Sequence, residues 1–270
     1  MNSKLTIAVC QMTSVDDVDL NFQQMEFLLN SISKPFDLAF FPENCLYMRL
    51  KEGEKIEGLS LEAPIFTKLG EIAKKKQVTL HLGSVPLKDN GKLANASVTV
   101  FPDGKAKCTY KKVHLFDIAL EGQKPIRESD VFSHGGGPSL LEAKDWKIGQ
   151  TICYDVRFAE LYSYYAKLGV DLIVVPAAFL VKTGQAHWEV LLRARAIESQ
   201  CYVAAAAQAG THHNRGNERK TYGHSVIISP WGDILAKASS DRPEVLLLDL
   251  DKFEIEKVRK QIPMQSHRRL

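Results

Sequence analysis

The same order of apolar runs and turns occurs twice along the chain. Residues 36–43, FDLAFFPE, resemble residues 170–177, VDLIVVPA, because both carry Asp-Leu, three apolar residues and a proline. Residues 97–107, SVTVFPDGKAK, resemble residues 225–237, SVIISPWGDILAK, and both place Pro-x-Gly between two strand-like runs. Proline and glycine around a short polar tip are typical of a β-hairpin. The chain is therefore built from two related halves.

Between these repeats, short apolar runs alternate with amphipathic segments. Short runs of Val, Ile, Leu and Ala predict strands buried on both faces, and the periodic segments predict helices. In the first half the pattern predicts strands at 5–10, 38–41 and 78–83 and helices at 18–29 and 61–74, followed by a hairpin. In the second half it predicts strands at 148–153, 172–175 and 202–207 and helices at 159–168 and 187–199, again followed by a hairpin.

Two such halves predict an α/β fold with two sheets packed face to face. Each sheet would be covered by its own helices, which produces a four-layer α-β-β-α sandwich whose halves are related by an approximate two-fold axis. Two independent domains would need a linker, and SHGGGPS at 133–139 is the only candidate. That segment is short and is interpreted as a loop between the halves. We therefore expect a single domain over residues 1–270.

Composition excludes several classes of protein. The formal net charge of +3, with no long basic run, does not favour nucleic-acid binding. The five cysteines are widely spaced without CxxC, and the histidines show no metal-ligand spacing, so neither a disulfide framework nor a metal site is expected. The N-terminus lacks a signal-peptide pattern and no apolar run is long enough to span a membrane, which favours a cytoplasmic protein that does not bind membranes.

Three residues with reactive side chains lie at the ends of predicted strands. Glu43 comes directly after the second strand, Cys153 ends the first strand of the second half, and Lys112 follows the first hairpin. Ligands of such sheets collect at the carboxyl ends of the strands. Taken singly, each residue has an ordinary explanation as a loop residue, a surface lysine or a buried thiol. Their order along the chain is more informative.

The segments FPE, YKKVHL and CYDVRF resemble, in order, the three signature segments of the nitrilase (carbon-nitrogen hydrolase) superfamily. The resemblance covers the whole chain, including AHWEVLLRARAIESQCYV, YGHSVIISPWG and QIPMQSHRR. It implies that Glu43 is the general base, Lys112 the catalytic lysine and Cys153 the nucleophile. Glu128 is similar to a further glutamate near the lysine, with Glu121 as a competing candidate.

These residue types suit hydrolysis of an amide through a thioester. A carboxylate can take the thiol proton as the sulfur of Cys153 attacks the carbonyl carbon. The oxyanion that forms needs donors, which the Lys112 ammonium and the backbone N–H of Tyr154 can supply. Glu43 then protonates the leaving amine and afterwards activates the water that hydrolyses the thioester. No cofactor is needed for these steps.

The nucleophile segment favours an amide over a nitrile. Nitrile-hydrolysing members typically carry Cys-Trp-Glu, whereas this chain has Cys153-Tyr154-Asp155. CYDVRFAEL and AHWEVLL resemble the Nit branch, which implies a deaminated-glutathione amidase first and an ω-amidase acting on α-ketoglutaramate second. An N-carbamoyl amino acid hydrolase, a non-enzymatic Nit-type binding protein and a redox sensor using Cys153 are alternatives.

A substrate with carboxylates at both ends would need cationic groups beyond Cys153. The candidates are Arg49, Arg157, and the basic loop at 211–221, which contains His212, His213 and Arg215. Arg157 is the first choice because it leaves the nucleophile's own turn, and Tyr154 is expected beside it. We expect a small-molecule amide to bind among these residues.

The segment LYSYYAKL at 161–168 predicts self-association. It carries more aromatic and apolar residues than one buried stripe needs. The family resemblance implies pairing through the helices beside the nucleophile strand. A homodimer or a larger even homo-oligomer is therefore expected.

Overall fold

The computed structural model describes residues 4–51, 53–119 and 125–269. The elements up to residue 130 include most of one sheet. In chain order they are β1 Lys4–Gln11, α1 Val18–Ser31, β2 Leu38–Phe40, α2 Pro64–Lys76, β3 Thr79–Asp89, β4 Lys92–Val100, β5 Ala106–Lys111, β6 Asp117–Ile118, β7 Ile126–Arg127 and a 3₁₀ turn at Glu128–Asp130.

The elements after residue 130 build the other sheet and return to the first. In chain order they are β8 Leu140–Ala143, β9 Trp146–Gln150, a 3₁₀ helix at Cys153–Arg157, α3 Ala159–Lys167, β10 Leu172–Val174, α4 Val181–Ser199, β11 Tyr202–Ala205, β12 Ala209–Asn214, β13 Asn217–Tyr222, β14 Val226–Ile228, β15 Ile234–Lys237, β16 Glu244–Asp251, α5 Lys252–Gln261 and α6 Met264–His267.

The two six-stranded sheets have matching topology. One has the order β16-β1-β2-β3-β4-β5, and the other read in the same sense has the order β8-β9-β10-β11-β14-β15. The strands β1, β2 and β3 are parallel, as are β9, β10 and β11. Every other pair of neighbouring strands in the two sheets is antiparallel. The edge strands β8 and β16 were not predicted from the sequence.

Alternation along β1 shows how the layers are arranged. Leu5, Ile7 and Val9 share a buried cluster with Trp146 of β9, which places them between the sheets. The intervening residues, such as Cys10, belong to a second cluster with α1 and α2, and a third cluster joins the other sheet to α3 and α4. Helices thus cover the outer face of each sheet, which confirms the predicted α-β-β-α sandwich.

Two predicted boundaries differ in ways that affect the site. β9 ends at Gln150 rather than at Cys153, because Cys153 has φ 47°, a left-handed backbone conformation that a strand does not contain. The basic segment at 211–221 is not a loop but the hairpin β12–β13. Its tip, Arg215-Gly216, has φ 50° and 78°, as the favoured two-residue hairpin turns require.

The first and last strands of the described chain lie side by side in one sheet. β16 pairs with β1 over its full length, from Lys4 opposite Asp251 to Gln11 opposite Glu244. This pairing supports a single domain over residues 1–270, which stays a prediction. Over the described ranges, no helix combines the length and the hydropathy that a membrane span requires.

Candidate active site

Cys153 lies in the turn after β9 and has a left-handed backbone conformation. Its left-handed φ of 47° is unusual for a residue with a side chain, and such conformations concentrate at functional sites. The Cys153 amide donates a 2.8 Å hydrogen bond to the carbonyl of Pro176, just beyond β10. The turn then continues as the 3₁₀ helix, whose first amides have no acceptor within the helix itself.

Asp155 ties this turn to the end of β5, a role that the sequence analysis missed. Its buried carboxylate accepts hydrogen bonds from the Ile152 amide and the Tyr110 hydroxyl, both at 2.8 Å. It also accepts from the amide of His114 at 3.0 Å and contacts the His114 Nδ1 at 2.8 Å. The turn of Cys153 and the strand before Lys112 are therefore positioned by one carboxylate.

Glu43 lies in the turn after β2 and is 4% exposed. Its Oε1 accepts a 2.9 Å hydrogen bond from Lys112 Nζ, and its Oε2 accepts one of 2.9 Å from the amide of Ala178. The turn sits against Gly83 of β3, where a Cβ atom would come within 2.1 Å of the Phe41 carbonyl. A glycine there lets the chain place Glu43 between the two sheets.

Lys112 and Lys111 point to opposite sides of the chain. The Nζ of Lys112 is buried between two carboxylates, at 2.9 Å from Glu43 and 2.8 Å from Glu128. An ammonium group has three N–H donors, so one remains for a further acceptor. Lys111 instead forms a 2.7 Å ion pair with Asp89 at the surface.

Glu128 is the second glutamate at this site. One oxygen accepts from Lys112 Nζ at 2.8 Å and from the Phe116 amide at 2.7 Å. Its other oxygen accepts a 2.7 Å hydrogen bond from the side-chain amide of Asn95 on β4, a residue that the sequence analysis did not single out. Glu121, the competing candidate, lies outside the described residues.

Burial of the sulfur beside Glu43 favours the protonated form of the resting thiol. Burial and, next, the carboxylate of Glu43 raise the pKa of Cys153 well above its usual value, against the opposing effect of Lys112. Burial alone would lower the pKa of Lys112, but Glu128 and Glu43 hold it well above its ordinary range. The lysine is therefore a cation, and the thiol needs a base when it attacks.

These side chains line a cavity whose wall also includes arginines. It holds about 890 Å³ of empty space including its mouth, and Glu43, Lys112, Glu128 and Cys153 all line it. Tyr154, Arg49 and Arg157, which were expected near the nucleophile, line it as well, and so does Arg219. Among the residues that the structure describes, the cavity wall therefore carries four cationic and two anionic side chains.

Two of the arginines are positioned by specific neighbours. The guanidinium of Arg157 lies 5.9 Å from the ring centre of Tyr154 and 5.6 Å from that of Phe179, and its Nη1 contacts His187 at 3.1 Å. Such contacts stabilise a cation over aromatic faces. Arg219 on β13 donates a 3.4 Å hydrogen bond to the carbonyl of Arg49.

His213 is exposed on β12 and is not among the described residues that line this cavity, so its role in substrate binding stays a prediction. Side chains alternate along β12, so His212 is buried against Ser14 and Thr221 while His213 is exposed. Arg215, at the hairpin tip, pairs with Asp17 at 3.5 Å. Arg219 pairs directly with His212 across the hairpin, so it lies on the face opposite to that of His213.

The site offers acid–base and nucleophilic chemistry but no evident metal cage. Within residues 4–51, 53–119 and 125–269, no group of three His, Cys, Asp or Glu side chains could hold a metal ion. The carboxylates of Glu43 and Glu128 both accept hydrogen bonds from Lys112. This arrangement can deprotonate a thiol and stabilise a negative charge that forms beside it.

Comparison with protein families and proteins of known sequence agrees with this chemistry. The model of the carbon-nitrogen hydrolase family matches residues 6–260. A deaminated glutathione amidase from Synechocystis is 38% identical, covering 97% of each chain. An omega-amidase, NIT2, from Xenopus tropicalis is 40% identical, covering 91% of this chain and 83% of its own.

Solved structures share the fold. The NitFhit protein of Caenorhabditis elegans superposes with a TM-score of 0.86 at 35% identity, covering 99% of this chain and 65% of that one. In sequence, the chain spans 60% of the length of the nitrilase and fragile histidine triad fusion protein NitFhit. Nit3 of Saccharomyces cerevisiae, described as a member of branch 10 of the nitrilase superfamily, has a TM-score of 0.84 at 28% identity, covering 99% of this chain and 97% of its own.

Proposed function

The chain belongs to the carbon-nitrogen hydrolase family, and we propose that it hydrolyses an amide bond through a thioester on Cys153. The observation that carries this proposal is the buried group of Glu43, Lys112 and Glu128 around the thiol. One anionic base and one cation beside a protonated nucleophile are what acyl transfer needs.

In the first half of the reaction, Glu43 takes the thiol proton as the sulfur of Cys153 attacks the carbonyl carbon. The carbonyl oxygen then becomes an oxyanion that accepts from the remaining N–H of Lys112 and from the amide of Tyr154. The amide of Cys153 itself is already committed to Pro176. Glu43 returns the proton to the amine, the C–N bond breaks, and a thioester remains.

In the second half, Glu43 removes a proton from a water molecule that attacks the thioester. The same oxyanion donors act again, and the C–S bond breaks with return of the proton to the sulfur. The donors to Glu43, Lys112 on one oxygen and Ala178 on the other, hold its carboxylate in one orientation throughout. The thiol is thereby regenerated.

We propose deaminated glutathione as the substrate. In this molecule an oxo group replaces the α-amino group of the glutamyl residue, so the scissile amide lies between two terminal carboxylates. Arg49, Arg157 and Arg219 line the cavity with the nucleophile, and guanidinium groups bind carboxylates well. The alternative substrate α-ketoglutaramate has one carboxylate and would use fewer of these cations. It is supported by the similarity of the chain to an ω-amidase, at 40% identity.

Replacing Arg49, Arg157 or Arg219 by alanine is expected to raise KM for the dianionic substrate. Loss of a hydrogen bond to a charged group corresponds to about a 10- to 100-fold change. For a small neutral amide, KM should change little. The measurement is initial rates on deaminated glutathione, α-ketoglutaramate, a simple amide, an N-carbamoyl amino acid and a nitrile, following the released amine or ammonia.

Arg215→Ala is the matched control because Arg215 belongs to the same hairpin but pairs with Asp17 outside the cavity. Its KM values should equal those of the unmodified protein. If all three cavity variants also kept the KM ratio between dianion and neutral amide, the substrate would be a smaller amide. Turnover of none of the compounds would contradict an amidase.

We also propose that the protein forms a homodimer or a larger even oligomer through the outer face of α3 and α4. The sequence analysis attributed self-association to the aromatic residues of 161–168, but two of them, Tyr162 and Tyr165, are buried within the protomer itself. Exposed apolar side chains on or next to these helices include Tyr164, Leu168, Val190 and Ile197, at 48%, 38%, 69% and 46% exposure. Burying such a patch favours association.

Placing a glutamate at Val190 or Ile197 is expected to dissociate the assembly, because an unpaired charge opposes burial of the interface. Sedimentation velocity at micromolar concentration measures the change. Phe253→Glu, at a 63% exposed position on α5, is the control and should leave the oligomer intact. A monomeric unmodified protein would overturn the assembly.

A reducing compartment, and so the cytoplasm, is the proposed location. All five cysteines are free thiols, and three of them, Cys10, Cys45 and Cys201, are fully buried. Disulfides are rare in cytosolic proteins.

A further inference from the structure

Asn95 on β4 connects the two carboxylates of the site. Its side chain is 2% exposed, and its Nδ2 donates hydrogen bonds to Glu43 Oε1 at 3.1 Å and to Glu128 Oε1 at 2.7 Å. Its Oδ1 is buried and has no hydrogen-bond partner in the described part of the chain. The amide cannot be turned around, because Oδ1 would then face two anionic acceptors.

We propose that Asn95 is a positioning residue for the catalytic base, a role that rests on the proposed amidase function. Together with Lys112 it closes a ring of four hydrogen bonds through Glu43 and Glu128. The ring uses Oε1 of Glu43 and leaves Oε2, which accepts from the Ala178 amide, for proton exchange with the sulfur.

The charge balance explains why a neutral donor suits this place. Two carboxylates share the single ammonium of Lys112, so the ring carries excess negative charge, and like charges at short range oppose ionisation. An amide stabilises both anions without adding a positive charge. A second cation would stabilise the anion of Glu43 further and make it a weaker base.

The side chain of Asn95 is not needed to build its strand. Its backbone carbonyl accepts from the Lys112 amide at 2.9 Å, and the residue pairs with Pro86 of β3 through the ladder. Its two side-chain donors go only to Glu43 and Glu128. The unsatisfied Oδ1 is a cost that folding alone would not favour. The geometry therefore assigns the side chain to the base.

The test compares Asn95→Ala and Asn95→Asp with Ser97→Ala. Ser97 lies two residues along β4, is fully buried and donates to the Gly83 carbonyl at 2.7 Å, so its loss mimics the structural cost alone. Asn95→Ala should lower kcat by about 10- to 100-fold, as expected for lost hydrogen bonds to charged groups, with KM nearly unchanged. Ser97→Ala should keep kcat.

The pH dependence of kcat separates positioning from packing. In Asn95→Ala the acid limb should move to higher pH, because a carboxylate that loses a donor is protonated more easily. In Asn95→Asp the alkaline limb should move to lower pH, because the new carboxyl group donates only while protonated. Asn95→Asp keeps the size of the side chain and carries the test if Asn95→Ala does not fold.

Each outcome is decisive. One outcome is an active unmodified protein with Asn95 variants that have the same kcat, and the same acid and alkaline limbs of the pH profile, as Ser97→Ala. That result would overturn the positioning role of Asn95 alone. An inactive unmodified protein would overturn the proposed function, and the role of Asn95 would fall with it. A lower kcat in Asn95→Ala, together with the two expected shifts in the pH profile of kcat, supports the positioning role of Asn95.

Discussion

Cys153→Ala is expected to reduce amide hydrolysis to background. The sulfur of Cys153 is the nucleophile that interacts with Glu43 and Lys112, so no thioester can form without it. The fold should survive, because the turn is held by the Cys153 amide on Pro176 and by Asp155 on Ile152, contacts that the side chain does not make. Steady-state rates and thermal unfolding together measure both parts.

Cys108→Ala provides the matched control for this change. Cys108 is the partly buried cysteine on β5, and it does not line the cavity. Its replacement removes the same atom and should leave kcat within about twofold, as for a substitution away from the site. Substantial turnover by Cys153→Ala, with the chain intact by mass spectrometry, would refute the thioester mechanism.

Lys112→Met should lower kcat by about 10²- to 10³-fold, the usual effect of removing one oxyanion donor. Methionine keeps the length of the side chain while removing the charge that Glu43 and Glu128 share. Breaking a buried ion pair also costs about 3–5 kcal/mol of stability.

Lys111→Met is the control, since Lys111 differs by one position and pairs with Asp89 at the surface. An exposed pair contributes about 0–1 kcal/mol, so both rate and stability should stay near those of the unmodified protein. Comparable small losses at Lys111 and Lys112 would mean that neither lysine stabilises the oxyanion.

The α-β-β-α architecture could be predicted because it depends on patterns that are local in the chain. The short apolar runs at β2 and β10, the periodic segments at α1 and α3 and the Pro-x-Gly turns each act within a few residues. The edge strand β16 escaped prediction because it pairs with β1, more than 230 residues away. The edge strand β8 pairs with the adjacent β9 across the turn Lys144-Asp145, a local hairpin that the sequence analysis missed.

The residues of the candidate site also divide into those that the sequence could predict and those that it could not. Glu43, Lys112 and Cys153 were singled out because each follows a predicted strand and lies in a recognisable segment. Asn95 was missed: it lies inside β4, and nothing in its own segment distinguishes it from a strand residue.

The sequence by itself determined the order of the elements, the two-fold repeat and which segments carry reactive side chains. Only the tertiary structure decided that Asn95 links Glu43 to Glu128, that Asp155 holds the nucleophile's turn, and that Arg219 lines the cavity. The physical reason is that local patterns arise from backbone geometry and hydrophobicity over a few residues. Hydrogen bonds between distant segments depend instead on how the strands pack together.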